Sequence, residues 1–214
     1  MDKPGQSAPI RVGAAGWAYK GAKLMAEAEA GGGATGFRGA PPGPPPPVVP
    51  VASVEAARAS AAEATDRLEA TMVRAASFSD EELHRRVNNE WCTVDSLRHV
   101  VLIIDLWLSK SVLGEQDPFH PIALPPTFMP PKLPGTSIDP DARPTFDEVC
   151  EVLRGRPATV RTSIDKLTPD DLERAIGGHA KTVGGALCVL FGELTAHNRF
   201  INRDLDIIEG SRSV

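Results

Sequence analysis

A helical bundle is indicated above all by the stretch Val183-Gly-Gly-Ala-Leu187-Cys-Val-Leu190-Phe-Gly-Glu-Leu194-Thr-Ala-His-Asn198-Arg-Phe-Ile201-Asn-Arg-Asp-Leu205-Asp-Ile-Ile208. Its numbered residues recur at intervals of three and four, which places them on one face of an α-helix. All of them are apolar except Asn198, a polar residue of the kind that fixes register by hydrogen bonding across a bundle. The pattern predicts a long helix over residues 182–208 whose apolar seam packs in a core.

Two earlier segments have the character of main helices. Residues 51–76 are rich in Ala, Glu and Arg, with apolar residues at helical spacing, and predict an amphipathic helix. Residues 94–113 are apolar on nearly every side, which is typical of a helix in the middle of a bundle. Thr93 precedes that helix and is its predicted N-cap.

Nine prolines lie within residues 114–144, too many for regular structure. A connection of this length and composition predicts a crossover loop that covers a site or spans the bundle.

The third main helix is predicted over residues 146–167, with Thr145 as its N-cap and a kink near Gly155 and Pro157.

Four long helices without a strand pattern predict an all-α four-helix bundle over residues 51–209, with a long Pro-rich crossover loop between helices 2 and 3. Residues 210–214 are predicted to be a short C-terminal tail. Residues 1–50 are rich in Gly, Ala and Pro, a composition that buries too little apolar surface to fold. This segment is predicted to be disordered, and translation from a start codon placed too far upstream is an alternative explanation of it.

Composition excludes several classes of function. The 214 residues carry a net charge of −5 and no dense run of Lys or Arg, so a nucleic-acid partner is not expected. No apolar run is long enough to span a bilayer, which predicts no membrane partner. The three cysteines are widely spaced and predict neither a disulfide framework nor a zinc ribbon, so the expected compartment is a reducing cytoplasm. Phosphate-binding loops, GxSxG elbows and HExxH motifs are absent from the sequence.

The order and spacing of several short motifs resemble the DinB-like superfamily over residues 51–209. The motifs are Trp91-x-Thr93-Val94-x-x-Leu97-x-His99, Asp105-x-Trp107-Leu108, Asp117-Pro-Phe-His-Pro121, Asp139-Pro-Asp-Ala-Arg-Pro-Thr-Phe-Asp-Glu-Val149 and Arg203-Asp204-Leu205. The resemblance implies an up-down-down-up bundle, often a homodimer. It also implies a divalent metal held by three side chains, usually histidines, of which one comes from the second main helix and two, four residues apart, from the fourth. Characterised relatives include transferases and isomerases that use a low-molecular-weight thiol such as mycothiol or bacillithiol.

The chain departs from this family pattern in its last helix. His99 matches the ligand of the second main helix, but the family positions in the fourth helix hold Leu194 and Asn198. Glu193 and His197 stand one residue earlier, a rotation of about 100° around the helix, so they are expected beside the core seam. Without a change of helix phase, only His99 of the three implied ligands has a side chain that can bind a metal at the family position.

The leading hypothesis is that His99, Glu193 and His197 hold a divalent metal such as zinc, nickel or manganese. Glu193 would be a ligand or the catalytic base, and the metal would activate a water or a low-molecular-weight thiol for attack on a small-molecule substrate. The rival hypothesis is a non-catalytic bundle that has lost its metal and serves as a dimer or a partner-binding module. In that case Glu193 and His197 form an i,i+4 ion pair, and Asp95 satisfies His99 from one turn earlier.

Overall fold

The computed structural model describes residues 49, 51–126, 135–177 and 180–212. Within these ranges the chain is helical and has no strand, apart from an isolated antiparallel bridge between Ala175 and Thr182. The all-α prediction is confirmed. The predicted disorder of residues 1–50 lies outside the described residues, except for Val49. None of the described helices is long and apolar enough to cross a membrane.

The described residues form seven α-helices and one π-helical segment. The helices are α1 (Val54–Ala75), α2 (Asp80–Leu83), α3 (Thr93–Ile104), α4 (Phe146–Leu153), α5 (Arg156–Asp165), α6 (Pro169–Glu173) and α7 (Val183–Arg212). The π-helical segment Asp105–Val112 continues α3 directly, so together they form the predicted second main helix. α7 extends into the segment that was predicted to be a C-terminal tail.

The start of α3 differs from the prediction by one residue. Cys92, not Thr93, is the N-cap, and its Sγ accepts a hydrogen bond from the backbone N–H of Asp95 at 3.4 Å. The backbone of Cys92 is extended (φ −72°, ψ 171°), whereas Thr93 is already the first helical residue. The thiol therefore occupies the place that the side-chain oxygen of a Ser, Thr, Asp or Asn residue takes at many helix starts.

The predicted third main helix is two helices, α4 and α5, rather than one kinked helix. Gly155 separates them with φ +81°, a left-handed conformation that glycine adopts at little cost. Pro157 lies in the first turn of α5, where its missing N–H leaves no helical hydrogen bond unmade. At the start of α4 the expected cap is present: Thr145 and Glu148 form a capping box.

α1 and α7 pack side by side and run in the same direction. Asn198 of α7 donates to the Ala64 carbonyl oxygen at 3.5 Å, and Glu209, further along α7, pairs with Arg74, further along α1, at 2.9 Å. The predicted seam of α7 is buried throughout, and it supplies the centre of the core.

α3 runs antiparallel to α7. Glu90, just before α3, pairs with Arg203 near the end of α7, whereas His99, further along α3, lies beside His197, which is earlier on α7. This crossing sets side chains from the middle of α3 against the middle of α7.

α5 runs antiparallel to α1. Arg58 near the start of α1 donates to the Asp165 carbonyl oxygen at the end of α5 at 3.0 Å, and Glu69, later on α1, pairs with Arg161, earlier on α5, at 2.7 Å. These relative directions are compatible with the up-down-down-up order, which itself stays a prediction.

The crossover loop is fixed to the bundle at the first residue of the π-helical segment. Asp105 is buried and forms an ion pair of 3.0 Å with Arg156 of α5. Its other carboxylate oxygen accepts a hydrogen bond from the backbone N–H of His120 at 3.0 Å. Residues 119–126 of the loop consequently lie along α3, at the level of the site described next.

Candidate metal centre

Three side chains that can bind a metal converge between α3 and α7. They are His99 on α3 and the pair Glu193 and His197 on α7, and their ligand atoms all lie within 4.8 Å of one another. The two imidazole rings have centroids 4.7 Å apart. No second group of three or more His, Cys, Asp or Glu side chains comes this close in the part of the chain that the structure describes.

Glu193 and His197 face His99 across the helix crossing, although the helix phase alone left His99 as the one expected ligand. Glu193 and His197 do lie beside the seam that contains Leu194 and Asn198, as the helical rotation requires. However, α3 covers this face of α7, so His197 is buried with 4% of its surface exposed. The periodicity of one helix gives the direction of its side chains but does not reveal which neighbour covers them.

His99 is oriented by the crossover loop. Its Nδ1 lies 2.7 Å from the carbonyl oxygen of Leu124, and because a carbonyl oxygen only accepts, Nδ1 carries the proton. The lone pair of Nε2 then remains for a ligand, an arrangement that many metal-binding histidines share. The alternative in which Asp95 satisfies His99 is wrong, because Asp95 forms ion pairs with Arg86 and Arg98.

His197 has one partnered and one unpartnered ring nitrogen. Nε2 lies 3.5 Å from the Glu193 carboxylate, so the i,i+4 contact expected from the sequence is present. Nδ1 is buried and has no hydrogen-bond partner among the described residues. An unsatisfied buried polar group costs about 1 to 3 kcal/mol, and in native proteins such a group often marks the place of an ion or a water.

Residues 54–201, more than half of the chain, match the DinB superfamily. The chain belongs to the DinB superfamily. The matched range includes the three converging side chains of this DinB protein. Comparisons with curated proteins and with solved structures gave no match.

Two aromatic rings pack against the histidines of the centre in the DinB bundle. Trp91 is buried, and its ring centroid lies 4.9 Å from that of His99 and 6.2 Å from that of His197. Phe200 meets His197 edge to face at 5.9 Å. These rings add apolar surface beside the imidazoles, which strengthens the electrostatic interactions of a charge held between them.

Sequence reasoning assigned the centre no residue other than the three candidate ligands. Trp91 was visible as part of a motif, and its place next to a helix start could have marked it as a site residue. Leu124 contributes a backbone carbonyl oxygen, for which a sequence holds no signal. The position of Leu124 in a Pro-rich loop indicated only that this loop covers a site or spans the bundle.

The charges of the DinB centre suit a cation. Burial and, to a smaller extent, the neighbouring His197 together lower the pKa of His99 to about 4, against the opposing effects of Glu193 and the hydrogen bond to the Leu124 carbonyl. Burial raises the pKa of Glu193, but the hydrogen bond to His197 and the charges of both histidines outweigh it, so the net shift is downward. At neutral pH His99 is therefore neutral and Glu193 is ionised, which are the forms that bind a metal.

Proposed function

We propose that this DinB protein is a divalent-metal-dependent enzyme that acts on a small molecule. The observation that carries the proposal is the set of two imidazoles and one carboxylate whose ligand atoms lie within 4.8 Å of one another. Three protein ligands leave at least one coordination position open, as in catalytic zinc sites, whereas structural zinc sites have four. The unpartnered Nδ1 of His197 is further support, since a ligand in the centre would account for it.

The donor set narrows the choice of metal. Imidazole nitrogens suit zinc and nickel, and a carboxylate adds affinity for harder ions such as manganese. Two histidines with one carboxylate also form the ligand set of many non-haem iron enzymes. Zinc is the ion we would test first, with nickel, manganese and ferrous iron beside it.

The chemistry would be activation of a nucleophile for attack on the substrate. A bound divalent metal supplies a Lewis acid that activates water or a low-molecular-weight thiol. His99 and His197 are buried and would hold the ion in place. Glu193 is the most exposed of the three, with 27% of its side chain accessible, and is the group that a substrate or a nucleophile can reach. We assign it the role of ligand or of the base that takes the proton from the nucleophile.

We also propose a low-molecular-weight thiol as co-substrate, a cytoplasmic location and a homodimeric assembly. A low-molecular-weight thiol and a homodimer follow from the family resemblance alone. Cytoplasmic location is supported by the free state of Cys92, Cys150 and Cys188, which a reducing compartment would maintain.

A non-catalytic bundle is the second candidate, and one distance favours it. His197 and Glu193 lie 3.5 Å apart and partly satisfy each other without a metal. In this account the centre is the remnant of a metal site, and the bundle acts as a homodimer or binds a protein partner.

A thermal-shift experiment on chelator-treated, dialysed protein separates the two candidates. Zinc, nickel, manganese and ferrous iron are added singly to the wild type, to His99→Ala and to a His84→Ala control. His84 bonds to Asp80 and to the Pro144 carbonyl oxygen and has no part in the centre. The enzyme proposal requires a metal that raises the melting temperature of the wild type and of the control but not of His99→Ala. An unchanged melting temperature with all four metals would favour the second candidate.

A further inference from the structure

Arg98, the residue before His99, has a buried side chain that reaches the crossover loop. It is 1% exposed, and its Nε and Nη2 donate to the carbonyl oxygens of Ile122 at 2.9 Å and Asp139 at 3.1 Å. Nη1 donates to Asp95 at 3.3 Å. A guanidinium is costly to bury unless its donors are satisfied, so these bonds account for its presence in the interior.

The two loop carbonyl groups belong to different arms of the crossover loop. Ile122 lies before residues 127–134 and Asp139 lies after them. The arms are also bonded to each other, since the Asp139 N–H donates to the Pro121 carbonyl oxygen at 2.8 Å. The main chain of Arg98 takes part as well, because its carbonyl oxygen accepts from the Leu124 N–H at 3.2 Å. A single residue of α3 thus holds both arms.

The bonds from Arg98 to the loop lie close in sequence to the Leu124 carbonyl group. Leu124 follows Ile122 by two residues, and its carbonyl oxygen is 2.7 Å from Nδ1 of His99. We propose that Arg98 is a positioning residue: by holding the loop, it keeps the Leu124 carbonyl on Nδ1 and so presents the Nε2 lone pair of His99 to the centre. The inference rests on the proposed function, in which that lone pair binds the metal.

A second arginine provides a matched control. Arg86 also pairs with Asp95, at 3.2 Å, but its other bond goes to the Glu90 carbonyl oxygen rather than to the crossover loop. Arg86→Met therefore removes a positive charge and an ion pair with Asp95 while leaving the bonds from Arg98 to the loop intact. Arg98→Met removes the hydrogen bonds to the loop, while methionine retains a side chain of similar length.

The first measurement is the tautomer of His99 in the metal-free, full-length protein, read from the ¹⁵N shifts of the imidazole and assigned with His99→Gln. The wild type and Arg86→Met should show the proton on Nδ1, and Arg98→Met should show a mixture of tautomers or the proton on Nε2. Zinc affinity, measured by competition with a chromophoric chelator, should fall by about 10- to 100-fold in Arg98→Met, the range usual for partners that orient a metal ligand.

A proton on Nε2 in the wild type would overturn the proposal, and so would a folded Arg98→Met whose tautomer and zinc affinity both match the wild type. If circular dichroism shows that Arg98→Met does not fold, Arg98→Lys is used, with the same shift of tautomer expected because an ammonium group cannot reproduce the planar fork that spans both arms. If the wild type binds no zinc, the proposed function fails, while the tautomer measurement still decides the role of Arg98.

Discussion

The imidazole rings of His99 and His197 lie with their centroids 4.7 Å apart, although they come from different helices. The contact exists because α3 and α7 run antiparallel with their middles crossing. A single histidine of one helix thereby faces a carboxylate and a histidine that are spaced by one turn on the other. The candidate metal centre is thus a property of the helix crossing.

Asn198→Leu should leave metal binding unchanged. Asn198 lies in the core seam, its Oδ1 is buried, and that atom has no hydrogen-bond partner among the described residues. A buried oxygen without a hydrogen-bond partner destabilises the folded state. Replacing the amide with an apolar side chain of similar size removes that destabilisation, so the free energy of unfolding should be equal or higher by up to about 2 kcal/mol. Urea denaturation and chelator competition test the two effects. Loss of zinc affinity in this variant would mean that position 198, not 197, faces the ion.

Trp91 should report on occupancy of the centre. Its ring centroid is 4.9 Å from that of His99, so a paramagnetic ion such as nickel bound to that histidine would quench its fluorescence. We would replace Trp17 and Trp107 with Phe to leave one tryptophan and titrate nickel into the metal-free protein. Emission should fall until one equivalent is bound, and the same titration of a His99→Ala background should show no such step. Equal quenching in both backgrounds would place the ion elsewhere.

The free energy of unfolding of the metal-free protein should fall in acid, over the pH range in which His99 is protonated in the unfolded chain but not in the folded one. Its pKa is about 4 in the folded chain, below the ordinary value of 6.5, because burial disfavours the charged ring. Between these values the unfolded chain binds more protons, so the free energy of unfolding falls as pH decreases from 6.5 towards 4. The loss is on the order of 3 kcal/mol for a shift of this size.

The pH effect is measured by urea denaturation at several pH values. His99→Gln should flatten the curve across this interval, whereas the His84→Gln control should keep the slope of the wild type. A wild-type stability that does not vary between pH 6.5 and pH 4 would argue against a buried, neutral His99.

The cysteines of the native protein should resist alkylation. Burial raises the pKa of Cys92 to about 12 and that of Cys150 to about 11, and it also raises the pKa of Cys188. Since the thiolate is the reactive form, iodoacetamide at pH 8 should modify native protein far more slowly than urea-unfolded protein. Mass spectrometry of the two samples measures this difference. Rapid modification of native Cys92 would show an activated thiol in the protein itself and remove the need for an external thiol.

The fold was largely predictable from sequence because the main helices carry their own periodic signals. The seam of α7 and the capping box at Thr145 and Glu148 both depend on residues a few positions apart. Two boundaries were wrong for local reasons: a cysteine thiol capped α3 in place of a hydroxyl, and Gly155 adopted a left-handed conformation that ends one helix and starts another.

The sequence identified which residues could bind a metal at the candidate site, but not how these residues are buried or what they contact. His99, Glu193 and His197 stood out as residues that bind metals, yet the helix phase suggested that the α7 pair would miss the core. Burial of His197 depends on α3, and the proton position of His99 depends on Leu124, a contact between a helix and a loop. Neither dependence follows from spacing within one segment.

The metal content of the purified protein shows directly whether His99, Glu193 and His197 hold an ion. The full-length chain is purified without a histidine tag or chelator, and inductively coupled plasma mass spectrometry gives the metal bound per chain for the wild type, His99→Ala, Glu193→Gln and the His84→Ala control. The proposed metal centre requires close to one divalent ion per chain in the wild type and the control, and a marked loss of metal in the two centre variants. A wild type that contains no metal and takes up none from zinc, nickel, manganese or ferrous iron, while it remains folded, would contradict it.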